Sequence, residues 1–214
     1  MTYLNMVNSV LRKLREDEVA TVNETDYSKL VGDFVNDALN AVEAAWDWSS
    51  LRETLTITTE ADDDTYPLVG FGIRGELMSV YNITKKAELR YQSKSYIVDK
   101  QVRSTTTGVP RYYALNGTDS NNDTNLVVYP KPDGVYTLEA NVVLRGIELS
   151  LDADSTKLPT LPIIQLAFAY ALRERGETGG QSASEQLVIA RNDLANAIAL
   201  DAGNNAGELV FDVL

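Results

Sequence analysis

Apolar positions along the chain recur first with a helical step, then with a strand step, then with a helical step again. Leu4, Val7, Val10, Leu11 and Leu14 fall three and four residues apart, one stripe of a helix over 3–14. Glu16-Asp17-Glu18 interrupts the stripe, and Asn23-Glu24-Thr25-Asp26 offers N-caps for a second helix. Over 27–46 the helical step holds throughout, carried by Leu30, Val31, Phe34, Val35, Ala38, Leu39, Val42 and Ala45 against a polar opposite face. After Trp48-Ser49-Ser50 the period shortens to two, and Leu55 and Ile57 alternate with threonines as in a half-buried strand. Further strands are expected over 77–83, 86–92, 108–115 and 126–129. Residues 136–144 are the expected hairpin partner of 126–129 across the turn Pro130-Lys-Pro-Asp-Gly134. Residues 93–102 read as a short helix resting on Tyr96 and Ile97. Helical spacing returns with Pro159 and Pro162 at a helix start, over 163–175 and, past a glycine-rich break, over 183–200.

Two helices, a strand-rich middle and two more helices do not alternate as a doubly wound α/β sheet does. The expected fold class is α+β: a four-helix bundle formed by the N- and C-terminal helices, with an inserted antiparallel β-rich domain and an extended C-terminal tail. The divisions this implies are bundle helices at 1–48, a β-rich insertion at 49–157, bundle helices at 158–201 and a tail at 202–214.

Composition narrows the chemistry. The 214 residues include no histidine and no cysteine, which excludes histidine-based triads and general bases, thiolate nucleophiles, disulfides and most zinc sites. Lys plus Arg is 19 and Asp plus Glu is 31, a net charge of −12, which disfavours wrapping a duplex through its phosphates. No apolar run approaches the ~20 residues of a membrane span. The N-terminus lacks the cationic and apolar regions of a signal peptide, so synthesis inside the cell is expected.

The motifs that remain are weak. Gly70-Phe-Gly-Ile-Arg-Gly75 misses the dinucleotide spacing by one residue and reads as a bend. Asp62-Asp63-Asp64 and Asp152/Asp154 have the residue types for Mg²⁺ or Ca²⁺, yet read as solvated turns, and 121–125 lacks the closing acid of a calcium loop. No catalytic residue, metal site or cofactor is assigned. Trp46 and Trp48 read as packing at a helix end. Tyr112 and Tyr113 beside Arg111 come nearest to a base-stacking cluster.

Two surface features stand out. Residues 85–111 hold 7 basic and 2 acidic side chains, between ends that are strongly acidic. The island Lys85, Lys86, Arg90, Lys94, Lys100, Arg103 and Arg111 is a candidate contact surface for an acidic partner, a neighbouring copy of the chain included. The apolar run Leu209, Val210, Phe211, Val213 and Leu214 follows a Gly/Asn-rich tether and suits strand addition or a groove.

The order of these features resembles the head-to-tail adaptor (connector) proteins of tailed bacteriophages, the tail tubular protein A-like group in particular. The resemblance runs from Leu4-Asn-Met-Val-Asn-Ser-Val-Leu-Arg-Lys-Leu14 through Ala44-Ala-Trp-Asp-Trp48. It continues through Gly108-Val-Pro-Arg-Tyr-Tyr-Ala-Leu-Asn-Gly117, Leu126-Val-Val-Tyr-Pro-Lys-Pro-Asp-Gly-Val-Tyr-Thr-Leu138 and Leu158-Pro-Thr-Leu-Pro162. It implies a non-enzymatic structural protein at the head–tail junction of the virion, made in the host cytoplasm. It further implies a ring, usually of twelve copies, under the portal protein and above the next tail, nozzle or stopper protein. Genomic DNA would pass through without sequence-specific binding, no membrane would be involved, and Leu209–Leu214 would reach the portal. The alternatives are another virion structural protein, such as a stopper or tail-completion factor, and a metal-dependent tail-associated hydrolase.

Overall fold

Helix α1 (Tyr3–Lys13) starts at Thr2, whose side chain accepts the Asn5 N–H, and ends with Arg12 and Lys13 against the negative end of its dipole. Helix α2 (Asp26–Ala45) opens on a reciprocal capping box. The Thr25 hydroxyl accepts the Ser28 N–H at 3.0 Å, and the Ser28 hydroxyl accepts the Thr25 N–H at 3.0 Å. Trp48, buried behind its C-terminal end, donates its indole N–H to the Val42 carbonyl at 2.8 Å.

The chain is described here by a computed structural model covering residues 1–104, 106–146, 148–176 and 181–204, the side chain of Gln181 apart. It divides into two compact units. One takes Met1–Ser50 with the described residues of Ile147–Leu214, the other Leu51–Gly146.

In the helical unit, α1, α2 and α4 (Thr160–Glu174) pack on one another. They bury Met6, Val7, Val10, Val31, Val35, Ala38, Val42, Ile163 and Ala167 completely. The segment before α4 is pinned to this core by polar contacts. Tyr3 donates its N–H to the Asp154 carbonyl at 2.8 Å, and Asn36 exchanges two 3.0 Å hydrogen bonds with the backbone of Leu149. Helix α5 (Gln181–Asn204) lies along α4.

The β unit is a seven-stranded sheet of β1 (Arg52–Thr58), β2 (Thr65–Pro67), β3 (Glu76–Asn82), β4 (Ala87–Tyr91), β5 (Tyr112–Thr118), β6 (Thr124–Tyr129) and β7 (Thr137–Val143). Its order is β1-β7-β3-β4-β5-β6-β2. Leu55–Thr58 of one edge strand and Tyr66–Pro67 of the other line a common cleft, so the sheet curls into a nearly closed barrel. Alternate residues fill its interior: Leu138, Ala140 and Val142 of β7, Ile57 of β1, Val80 of β3, Leu89 of β4, Leu126 and Val128 of β6. Helix α3 (Lys94–Arg103) covers the outer face, where Ile97 meets Ala114 and Val127.

The expected four-helix bundle with an antiparallel insertion is not what forms. The structure is mixed α/β, with five α-helices among the described residues and the barrel-like sheet. Helix α5 explains the first difference. Leu187, Val188, Ile189 and Ala190 are consecutive, so its apolar residues circle the axis and leave no stripe to close a bundle. Of its described side chains only Ala190 is buried, while Val188, Ile189 and Leu200 stay exposed. Helix α3 explains the second. A helix between two neighbouring strands is a crossover, and β4 and β5 accordingly pair in parallel, Arg90 opposite Tyr112 and Tyr91 opposite Tyr113.

The expected hairpin of 126–129 with 136–144 is also absent. Strand β7 pairs with β1 and β3, and β6 with β5 and β2. Pro130 and Pro132 have no N–H to continue a ladder, and the segment containing them carries the chain to the far side of the sheet. The three-residue β2 was not expected at all. Of the expected tail, residues 202–204 continue α5, and 205–214 lie outside the described residues.

Candidate interaction surfaces

The basic island of the sequence is split by the fold into two groups. Lys85 and Lys86 sit in the turn between β3 and β4. There Asn82 Oδ1 accepts the Lys85 N–H at 2.9 Å, and the Lys85 ammonium lies 5.7 Å over the Tyr136 ring. Arg90, Lys94, Lys100, Arg103 and Arg111 belong to the β4–α3–β5 crossover. The parallel pairing puts Arg90 and Arg111 side by side, the Arg90 N–H donating to the Arg111 carbonyl at 2.9 Å. Lys94, Lys100 and Arg103 ride on α3. Arg103 is tied to Asp99 at 2.8 Å, an exposed pair of little energetic weight.

Tyrosines come into the same crossover. Tyr96 of α3 stacks edge-to-face on Tyr112 at 5.7 Å, and the Lys100 ammonium lies 5.5 Å over Tyr96. Tyr91, 64% exposed, meets Tyr113 edge-on at 5.6 Å. Tyr113 points inward, and burial first, then the charge of Glu88, pushes its phenol above the ordinary range. Tyr112 and Tyr113 therefore face opposite sides of the sheet and do not form one stacking platform. The sequence signal for Tyr91 and Tyr96 was their spacing from the cations, legible only once the crossover is known.

The helical unit carries a second surface that sequence reasoning missed. Leu30, Phe34 and Asp37 of α2 and Tyr170, Arg173 and Glu174 of α4 line an open groove of about 680 Å³. A smaller one of about 230 Å³ runs between α4 and α5 past Ala183, Ser184 and Leu187, and Tyr170 and Arg173 line both. Leu30, Phe34 and Tyr170 are only half-buried. The apolar stripe of α2 is wider than α1 and α4 cover, and helical spacing alone does not distinguish a covered flank from an open one.

The carboxylate clusters hold backbone. Asp154 Oδ2 accepts N–H groups of Ser150 at 2.8 Å and Leu151 at 2.7 Å, which lowers its pKa. Asp152 Oδ1 accepts the Val22 N–H at 2.9 Å. Asp64 accepts from Gln101 at 2.6 Å and from the Thr65 hydroxyl at 2.9 Å. Asp123, 8% exposed, accepts the N–H groups of Gly70 at 3.0 Å and Gly72 at 3.2 Å, so the glycine bend turns two of its amides to the chain's own carboxylate. Among the described residues no group of three or more His, Cys, Asp or Glu gathers as a metal site, and no helix is long and apolar enough to cross a membrane.

A net-acidic helical unit with an open apolar groove, and a barrel bearing a tyrosine-rich basic crossover, define a protein of interaction surfaces. Residues 1–208 match the model of the SU10 adaptor protein family, and the chain belongs to that phage adaptor family. It matches no curated protein. The family is structural rather than enzymatic, and membership makes the chain a virion component that associates with other virion proteins. The candidate tail residues Leu209, Val210, Phe211, Val213 and Leu214 fall beyond the family match and outside the described residues.

Proposed function

We propose that the chain is the head-to-tail adaptor of a tailed bacteriophage, of the tail tubular protein A-like kind. In this reading copies close a dodecameric ring that joins the portal to the next tail component and lets DNA pass without sequence-specific contact. The observation that carries the reading is the family match over nearly the whole chain. The charge pattern supports it. By sequence, the helical unit holds 8 basic against 19 acidic side chains, a net of −11, while the β unit holds 11 against 12. This difference in charge favours contacts between the helical unit of one copy and the β unit of another, the kind of unlike contact a ring requires.

The basic island Lys85, Lys86, Arg90, Lys94, Lys100, Arg103 and Arg111 is assigned to contacts between copies, and Leu209–Leu214 to the portal. Cryo-electron microscopy of the virion is the test. Density for this chain as a ring at the head–tail junction is expected, and density only elsewhere in the particle overturns the reading. Deleting residues 203–214 is expected to abolish docking on the portal in a pull-down.

A further inference from the structure

Helix α3 buries Ile97 against the sheet and turns an opposite edge outward, where Val98 is 42% and Val102 is 82% exposed. The two valines are four residues apart, so they stand one above the other as a short apolar ridge. Lys94, Lys100 and Arg103 outnumber Asp99 on the same helix. The α2–α4 groove has the opposite character. Its walls are Leu30, Phe34 and Tyr170, and on its rim Asp37 and Glu174 outnumber Arg173. A volume of about 680 Å³ gives ample room for two aliphatic side chains. An apolar ridge with a basic flank and an apolar groove with an acidic rim are the two halves of a helix-in-groove contact.

We propose that α3 of one copy seats Val98 and Val102 in the α2–α4 groove of a second copy. Lys94 and Arg103 then face Asp37 and Glu174. Ridge and groove are built from different residues of the chain, so a single such contact leaves one groove and one ridge free for further copies. The inference rests on the adaptor reading and adds to it the residues that join neighbours.

The absence of native cysteine makes a clean test possible. Full-length Val102→Cys and Phe34→Cys chains, distinguishable by a mass tag, are mixed and oxidised. Asp37→Cys, at an exposed position, replaces Phe34→Cys if circular dichroism shows that the latter perturbs folding. A mixed disulfide is expected in about tenfold excess over that formed by Val102→Cys with a control at exposed Val69→Cys. Lys94→Glu with Arg103→Glu should abolish the excess, and adding Asp37→Lys with Glu174→Lys on the other chain should restore it.

A yield equal to the control overturns the contact, as does capture of Phe34→Cys by a different virion protein in assembled particles. Imaging separates this outcome from failure of the wider reading. A ring seen without the crosslink removes the contact and leaves the adaptor. A crosslink from a chain found away from the head–tail junction removes the adaptor and leaves the contact.

Discussion

Asp201 holds the far end of α5, and replacing it tests how that helix is fixed. Its Oδ2 accepts the Trp46 indole N–H at 3.0 Å and the Ser49 N–H at 3.1 Å, and its Oδ1 accepts the Ser49 hydroxyl at 2.5 Å. A hydrogen bond to a charged group contributes about 1.5–3 kcal/mol when lost from a buried site. These are part-buried, so ~1 kcal/mol each is the working figure, or ~3 kcal/mol together. Little else holds this end, because Leu194, Ala197 and Ile198 are only half-buried and Ala190 lies more than two turns away. Asp201→Ala should therefore raise the opening equilibrium of the last turns by roughly 100-fold. Asp201→Asn, keeping one acceptor oxygen, should fall between. Hydrogen exchange read by mass spectrometry is the assay. Peptides over 195–204 should exchange faster by that factor, while peptides of α1, whose core side chains are fully buried, stay within a few-fold of the parent protein. Unchanged exchange over 195–204 would show that α4 alone holds α5 and that the clamp contributes nothing.

Three further outcomes follow from the same structure. Trp48→Ala removes a side chain that is 1% exposed and hydrogen-bonded to Val42, and should lower stability by about 3–5 kcal/mol in denaturant unfolding. Asp123→Ala strips two amides of the glycine bend of their acceptor. It should cost about 2 kcal/mol and speed exchange over 69–75, with a wild-type rate there counting against the role. Tyr3 is pushed from 10.0 up to about 12, by burial first and then by the charges of Asp33 and Asp152. A raised folded pKa gives stability that is complete below pH 10 and is lost as pH rises through 12, here about 3 kcal/mol in all. Tyr3→Phe should flatten that alkaline limb, and a parent protein equally stable at pH 9 and 11 would refute the assignment. Burial raises Tyr27, Tyr66 and Tyr113 in the same direction, so the limb shrinks in the variant without vanishing.

The parts of the fold legible in the sequence are those where one residue's neighbours along the chain decide its environment. Helices α1 and α2 follow from apolar spacing and from Thr25, and α3 from Tyr96 and Ile97. What the sequence hides is pairing. Residues 136–144 alternate cleanly, yet alternation says only which side faces inward, not which strands lie alongside, and Pro130 and Pro132 redirect the chain past its sequence neighbour. The helical reading of 183–200 was sound as local structure and misleading as architecture, because apolar residues on every side of α5 specify no partner helix. Among the candidate surfaces, the basic island was visible as a charge run. The fold separates Lys85 and Lys86 from the other five and adds Tyr91 and Tyr96. The α2–α4 groove had no signal, since Phe34 and Tyr170 have the spacing of core residues and differ from them only in what lies above.

The division into units changes the meaning of the net charge. Were −12 spread evenly, any two copies would repel at every approach, and association would depend on apolar burial alone. Instead the helical unit carries −11 and the β unit −1, and five of the β unit's eleven cations lie on one crossover. Two helical units brought face to face then bear the full repulsion, which disfavours a symmetric dimer through the groove. A helical unit brought to the α3 crossover meets local opposite charge within the ~8 Å over which charges act at physiological salt. The charge pattern thus weighs against a groove-to-groove contact and in favour of the proposed contact between groove and crossover. In the proposed contact, electrostatics would select which surfaces meet, and the apolar ridge and groove would supply the burial that holds them.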